Sequence, residues 1–491
     1  MELTKDIYRT SLSLLTDLYQ ITMAYGYWKS GTTEKEAVFN LYFRKNPFQG
    51  GYTIACGLEY VVDFLKNLSF DKDELAYLGS LNGNDGKPMF EQGFLDYLAD
   101  MKFECDIDAV PEGTVVFPNE PLLRVRGPLF QCQLIETPLL TMLNFQTLIA
   151  TKAARLCQAA DQDEVLEFGM RRAQGIDGAL AASRAAYIGG CAATSNVLAG
   201  KLFGIPVKGT HAHSWIMSFD TEMEAFETYA EAMPNNAIFL VDTYDTIEGV
   251  KKAVKVGKKL REKGYEMAGI RLDSGDLAYL SIEARKIMDE AGFPKAKIVA
   301  SNDLNEHIIT SLKNEQGAKI DVWGVGTKLA TAFDQPALGG VYKLSAIEND
   351  NKEWDYKVKL SEQAVKVSNP GILQTRRYYY ENGSTLADMI FDENNTPETE
   401  ATIIDPLDNT RRKNINQTVV NYKDLLVPVF RKGELVYELP SIEEMRDLRE
   451  KELNTFHPSI KRFSYPHAYP VGLEQKLYEI KNDLIMKLRG N

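Results

Sequence analysis

Between about residues 165 and 325 the chain keeps one rhythm, a short apolar run followed by a longer stretch with helical spacing. The runs lie at 165–168, 205–207, 238–241, 268–272, 298–300 and 320–323. Runs of this length bounded by polar residues are the size of buried strands, and the segments between them are long enough for crossover helices. The region therefore predicts parallel βα units. No Gly-x-Gly-x-x-Gly opens the series, so the pattern predicts an irregular (β/α) barrel rather than a doubly wound sheet.

The flanking thirds have a different texture. Residues 17–29 place Leu18, Ile21, Tyr25 and Trp28 on one helical stripe, with Thr16 as N-cap and Gly31 past the end. Tyr19 and Met23, off that stripe, form a second apolar strip that a monomer leaves partly wet. Residues 37–43 alternate as a strand with Ala37, Phe39, Leu41 and Phe43 on one face. Segments 113–117 and 122–126 predict two strands paired around Pro118-Asn119-Glu120-Pro121, and 129–160 predict a long helical stretch. After residue 350, strand-like runs at 372–380, 425–430 and 435–437 are joined by turns such as Asn382-Gly383 and Lys432-Gly433. Ser441 with Glu444 makes a capping box, and 473–488 predict an amphipathic helix. The expected organisation is an N-terminal α/β domain (1–135), the barrel with the active site (136–349) and a C-terminal α+β region (350–491). The two end segments are expected to build a smaller α/β sandwich domain beside the barrel.

Composition narrows the partners. The formal net charge is −13 and no basic run dominates any segment, which argues against nucleic acid and anionic membrane. An anionic ligand must then be held by a few placed Arg or Lys residues and backbone N–H groups. Five widely spaced cysteines without Cys-x-x-Cys are neither a disulfide framework nor a zinc knuckle. The first fifteen residues lack a charged segment followed by an apolar one, so no secretion signal is expected, and the protein is expected to be cytoplasmic.

The residues that follow the apolar runs carry the chemistry. They are Phe168-Gly169-Met170-Arg171-Arg172, Lys208-Gly209-Thr210-His211-Ala212-His213-Ser214, Asp242-Thr243-Tyr244-Asp245, Arg271-Leu272-Asp273-Ser274-Gly275-Asp276, Ser301-Asn302-Asp303 and Gly324-Val325-Gly326-Thr327. Helix N-caps and turns explain any one of these. They do not explain six in succession at the strand ends where barrels place their active sites. Gly326 and Thr327 lie in a Gly-x-Gly-Thr loop that can wrap N–H groups around a phosphate. Asp273 and Asp276 can hold ribose hydroxyls or a Mg²⁺ on a pyrophosphate, and Arg171, Arg172 and Arg271 offer forked donors to carboxylate or phosphate. His213 reads in three ways: an ordinary hydrogen-bonded histidine, half of a metal site with His211, or a nucleophile. A nucleophile needs one ring nitrogen free and the other held, and Asp242 is the candidate holder. Phe168 is either core or a platform for a ring. Arg172 faces away from Arg171 if the strand continues. Ser195 reads as a helix N-cap, and Lys343 has no assigned role.

Together these residues resemble the nicotinate phosphoribosyltransferase family. The resemblance runs over most of the chain through Leu15-Thr16-Asp17-Leu18-Tyr19-Gln20, Arg171-Arg172-Ala173-Gln174-Gly175, Ser195-Asn196-Val197-Leu198-Ala199-Gly200, Gly209-Thr210-x-Ala212-His213, Arg271-x-Asp273-Ser274-Gly275-Asp276 and Gly326-Thr327. It implies transfer of a phosphoribosyl group from phosphoribosyl pyrophosphate to nicotinate, coupled to ATP hydrolysis, with Mg²⁺, in NAD biosynthesis. It also implies a homodimer with shared active sites. In that reaction Tyr19 and Phe168 would flank the pyridine ring. Thr210, Arg271 and Arg171 would meet nicotinate. Arg271, Asp273, Ser274, Asp276, Gly326 and Thr327 would hold phosphoribosyl pyrophosphate, with Asp273 also catalytic, and His213 would be phosphorylated. Two alternatives stand beside this. One is the nicotinamide-using relative, which an extra acidic residue in 192–196 would favour and this chain lacks. The other is a non-catalytic barrel that binds sugar phosphates, against which His213, Asp273 and Arg271 argue.

Overall fold

Short parallel strands, each followed by a helix, make up the unit formed by residues 148–336. The structure is a computed structural model that describes residues 11–490 except 364–365, 398 and 417–419. Residues 1–10, part of the segment read for a secretion signal, lie outside the described residues. The strands are β1 (Glu164–Glu167), β2 (Ala193–Thr194), β3 (Ile238–Leu240), β4 (Gly269–Leu272), β5 (Lys297–Ser301) and β6 (Val322–Val325). Their order is β2-β1-β6-β5-β4-β3, every ladder parallel. The first and last long strands thus lie side by side, the wrapping of a barrel. Among the described residues no ladder joins β3 to the opposite edge, which makes the barrel irregular.

Two strand expectations change. The run at 205–207 supplies one isolated bridge, Val207 to Thr194, because Pro206 has no N–H to continue a ladder. The extra edge strand β2 is only Ala193–Thr194, too short to show as an apolar run. Apart from Arg271 in β4, the interior residues of β1, β4, β5 and β6 are buried on both faces, as continuous apolar runs require. Crossover helices start from side-chain caps directly after the strands: Asp245 caps Thr246–Glu262, Asp276 caps Leu277–Glu290 and Asn196 caps Val197–Phe203. Each strand therefore delivers its following polar residues to the same end of the sheet.

Residues 1–147 and 337–491 form the other unit. The divisions fall at 147/148 and 336/337, where the sequence placed them at 135/136 and 349/350, and the unit built from the two ends is the larger of the two. Its seven-stranded antiparallel sheet interleaves strands from both ends of the chain: Trp354–Tyr356, Val341–Glu348, Glu36–Tyr42, Leu123–Pro128, Asp106–Ala109, Val427–Arg431 and Glu434–Leu435. Both faces of Glu36–Tyr42 are covered: Val38 packs with Ala346 and Ile372, Asn40 donates to Ser345 Oγ (2.8 Å), and with Tyr42 they are as buried as the predicted face. The strands expected to pair around Pro118 to Pro121 part company. Val115–Val116 pairs with Thr53–Ile54, while Leu123–Pro128 joins the large sheet. A second, six-stranded sheet is built from the C-terminal segment, with Val471–Glu474, unseen in the sequence, parallel to Thr385–Asp392. The capping box at Ser441 and the final helix, Gln475–Arg489, are present.

Helix Leu18–Ser30 begins after Asp17 rather than Thr16 and ends at Gly31 with φ 66°, a left-handed cap that favours glycine. Ile21 and Ala24 pack into a cluster with Phe90, Phe94 and Phe130, and Tyr25 and Trp28 pack against it. Leu18, expected on this stripe, is instead exposed, as are Tyr19 and Met23. Among the described residues no helix is long and apolar enough to cross a membrane.

Candidate active site

The arrangement is built around Arg271, the third residue of β4. Its Nε donates to Ser301 Oγ at the end of β5 (2.9 Å), its Nη1 to Thr210 Oγ1 (3.1 Å) and its Nη2 to Asp273 Oδ1 (2.9 Å). Ser301 also donates to Asp273 Oδ1. Burial alone would raise the Asp273 carboxyl, but the Ser301 hydroxyl and the Arg271 guanidinium outweigh it and hold the group below the usual range. The Arg271 guanidinium lies 5.7 Å from the centroid of the Phe168 ring. A cavity of about 340 Å³ opens here, with Phe168, Arg171, Thr210, His213, Arg271 and Asp273 in its wall, together with Ser195 and His211.

The two histidines of the Thr210–His213 segment have separate environments. His211 is buried; its Nε2 accepts from Leu240 N–H (3.3 Å), its Nδ1 is 3.4 Å from Ala212 O, and its ring meets Tyr229 edge-on. Burial lowers its pKa to about 4, so at neutral pH it carries no charge. Both its nitrogens are engaged with the backbone, which removes it from a metal pair. His213 opens a short helix, His213–Met217, and is partly exposed. Its Nδ1 is 3.1 Å from Thr243 Oγ1, and its Nε2 faces two carboxylates, Asp273 Oδ2 at 3.6 Å and Asp242 Oδ1 at 3.9 Å. The expected holder, Asp242, is thus beyond hydrogen-bond range of His213, and the Thr243 hydroxyl holds the ring instead. Asp242 Oδ2 accepts from Asp273 N–H (2.9 Å) and Ser274 Oγ (2.6 Å), whereas Oδ1 is buried without a hydrogen-bond partner.

The comparisons agree over the whole chain. Models of the nicotinate phosphoribosyltransferase N-terminal domain, family and C-terminal domain match residues 14–144, 164–381 and 374–481. A nicotinate phosphoribosyltransferase of Bacillus subtilis is 45% identical over 98% of this chain and 96% of the relative. The chain belongs to the nicotinate phosphoribosyltransferase family. The human family member is 35% identical over 96% of each chain. The crystal structure of human nicotinic acid phosphoribosyltransferase matches with a TM-score of 0.84 at 33% identity, over 96% of this chain and 99% of that one. A nicotinate-nucleotide pyrophosphorylase from Pyrococcus furiosus, 22% identical with a TM-score of 0.67, shares the fold.

In this member of the family, six of the residues singled out in the sequence meet at the cavity: Phe168, Arg171, Thr210, His213, Arg271 and Asp273. Others sit around it in different employment. Ser274 is turned to Asp242, and Asp276 accepts from Tyr279 N–H (3.0 Å) as a helix cap. Gly326 precedes the short helix Thr327–Ala330, whose loop follows β6 beside β1. Tyr19 belongs to the other unit and is exposed there. Lys343 lies in that unit as well, with Lys357 and Lys359 around a cavity of about 380 Å³. The chain leaves β1 through a 3₁₀ turn, Met170–Arg172, so strand alternation does not apply to the two arginines. Both are exposed, and Arg171 is the one in the cavity wall. Ser195 is not the cap of the helix after β2; Asn196 is, through Ala199 N–H (3.2 Å), which leaves Ser195 to the cavity. Sequence reasoning passed over Thr243 and Ser301 as strand-end hydroxyls, and nothing in their spacing showed which charged groups they would join.

The buried His211 generates a pH test. The unfolded histidine titrates near 6.5 and the folded one near 4, so the unfolded chain binds the extra proton first as pH falls. Stability from this group is therefore complete above pH 6.5 and lost between about 6.5 and 4, in total on the order of 3 kcal/mol. Chemical denaturation of wild type and His211→Gln at pH 7 and pH 4 checks it. The variant should lose less stability over that interval, and equal losses would show that His211 titrates normally in the folded protein.

Proposed function

We propose that this protein is a cytoplasmic, homodimeric enzyme that transfers the phosphoribosyl group of phosphoribosyl pyrophosphate to nicotinate. The products are nicotinate mononucleotide and pyrophosphate, and the reaction is driven by ATP through a phosphohistidine at His213. The observation that carries this reading is the meeting, at the ends of β1 and β4, of a braced guanidinium, an aromatic ring and a histidine flanked by carboxylates. Arg271 and Arg171 supply forked donors for the nicotinate carboxylate, Thr210 a hydroxyl and Phe168 a face for the pyridine ring, with Tyr19 on the other face. Arg271, Asp273, Ser274, Asp276 and the Gly326-Thr327 loop hold the phosphoribosyl pyrophosphate. Bound in this way, the ring nitrogen and the anomeric carbon are held in line, so that the new N–C bond forms as the C–O bond to pyrophosphate breaks.

His213 is arranged for the energy-coupling step. With Nδ1–H donated to Thr243, the Nε2 lone pair is free to attack the γ-phosphorus of ATP; the P–O bond breaks and ADP leaves. The ring then carries positive charge. Asp273 and the unpartnered Asp242 Oδ1 stabilise it, and this is the role left to Asp242. Later attack of water on phosphorus returns the histidine and releases phosphate. Mg²⁺ would supply charge neutralisation on the pyrophosphate and travel with it. Asp273 and Asp276 suit such an ion, although among the described residues no group of three or more His, Cys, Asp or Glu side chains stands ready to hold one.

Two measurements test these assignments. With phosphoribosyl pyrophosphate, nicotinate, Mg²⁺ and labelled ATP, wild type should form nicotinate mononucleotide and an acid-labile phosphoprotein. His213→Ala should lose ATP hydrolysis yet keep a slow, ATP-independent transfer, because Arg271 and Asp273 still position the substrates. Acid-labile phosphate on that variant would exclude His213 as the acceptor.

The shared site rests on the exposed strip of Tyr19 and Met23, which a second subunit would cover. If Tyr19 of one chain completes the site of the other, inactive Tyr19→Ala and Arg271→Ala chains should regain activity when subunits exchange, since one site per mixed dimer has both residues. Verified exchange without recovered activity would place Tyr19 in its own chain's site or outside any site.

A further inference from the structure

Glu167, the last residue of β1, is 1% exposed and bonded to no cation among the described residues. One carboxylate oxygen accepts from Gly169 N–H; the other accepts from Ser183 Oγ (2.9 Å) and Thr194 Oγ1 (2.6 Å). A carboxylate has acceptors only, so it can take all three donors at once, which an amide of the same shape cannot do without turning one of them round. With its hydrogen given to Glu167, Thr194 Oγ1 is left to accept from Asn196 N–H (3.0 Å); Ser183 Oγ, which shares its hydrogen between Glu167 and Ala179 O (3.0 Å), accepts from Asn196 Nδ2 (3.2 Å). Asn196 in turn caps the next helix, and Ser195 N–H donates to Glu167 O (2.9 Å).

Two pieces of the cavity wall hang on this group. The turn carrying Phe168 and Arg171 is held through Gly169, and the segment carrying Ser195, just past its strand, through Thr194, while Ser183 ties the helix behind them to the same carboxylate. The turn packs so closely at Gly169 that a Cβ there would overlap Ala330 Cβ and Gly326 O, in the segment after β6. The turn is clamped between that segment and the carboxylate.

We propose that Glu167 is a positioning residue for recognition of the base: it sets Phe168, Arg171 and Ser195 relative to one another and so governs nicotinate binding without touching nicotinate. This rests on the functional reading above. The test uses the full-length enzyme with Glu167→Ala, Glu167→Gln and Ser183→Ala. It measures KM for nicotinate and for phosphoribosyl pyrophosphate, kcat, the thermal midpoint, and amide exchange in peptides covering 168–172 and 194–198. Loss of the carboxylate should raise the nicotinate KM about tenfold while the phosphoribosyl pyrophosphate KM stays within about twofold, with faster exchange confined to the two peptides. Glu167→Gln, which keeps part of the acceptor set, should recover much of the loss. If Glu167→Ala does not fold, Ser183→Ala carries the test, with a smaller shift of the nicotinate KM alone. A nicotinate KM unchanged in every variant overturns the proposal, as does a parallel rise in both KM values with a general fall in thermal midpoint, the mark of a merely structural role. If wild type does not use nicotinate at all, the functional reading falls, and exchange in Glu167→Ala then decides alone: unchanged exchange at both peptides overturns the positioning role.

Discussion

Arg271 cannot move without unpairing hydrogen bonds to three side chains, those of Ser301, Thr210 and Asp273. Its fork joins the end of β5 through Ser301, the Thr210 loop, and its own strand end through Asp273. A guanidinium has five N–H donors in one plane, so three can be committed to the frame while two remain for a ligand. That geometry depends in turn on the parallel register of β4 and β5, in which Leu272 lies opposite Ala300 and delivers Ser301 and Asp273 to the same level. The proposed binding group is consequently fixed before any ligand arrives, and the entropy of ordering a long, flexible side chain has already been lost on folding.

The electrostatics follow from this bracing. Asp273 stays ionised beside Arg271 although partly buried, and it places negative charge 3.6 Å from His213 Nε2, with the Asp242 carboxyl 3.9 Å away. Two residues away, His211 has the same side chain in a dry, backbone-bonded setting that keeps it neutral. A spacing of two residues thus separates a buried imidazole, bonded to the backbone, from a partly exposed one facing two carboxylates.

Much of the barrel was legible because a buried parallel strand writes a continuous apolar run and a crossover helix writes a period near 3.6. Partners are not written in this way. Val115–Val116 and Leu123–Pro128 both read as strands, yet they enter different sheets, since pairing is decided by tertiary contacts that no local pattern records. Pro206 carried the signal that should have demoted the run around it. Leu18 was misread because a helical stripe shows which residues share a face, and not which part of that face stays uncovered. At the site, residue types that serve one chemistry, such as Arg271, Asp273 and His213, stood out, while Thr243, Ser301 and Glu167 did not. Hydroxyls and a lone Glu at a strand end are common everywhere, and only the fold shows what they hold.

The most direct test of the account is identification of the product made from each of the two competing bases. The purified protein is mixed with phosphoribosyl pyrophosphate, Mg²⁺ and ATP, and with either nicotinate or nicotinamide, and the nucleotide formed is identified and its rate measured. A pocket built on Arg271 and Arg171 loses a charge-assisted bond when the carboxylate becomes an amide, so nicotinate mononucleotide should form with a kcat/KM at least about tenfold above that for nicotinamide. Comparable efficiency with the two bases, or no nucleotide from nicotinate, would contradict it.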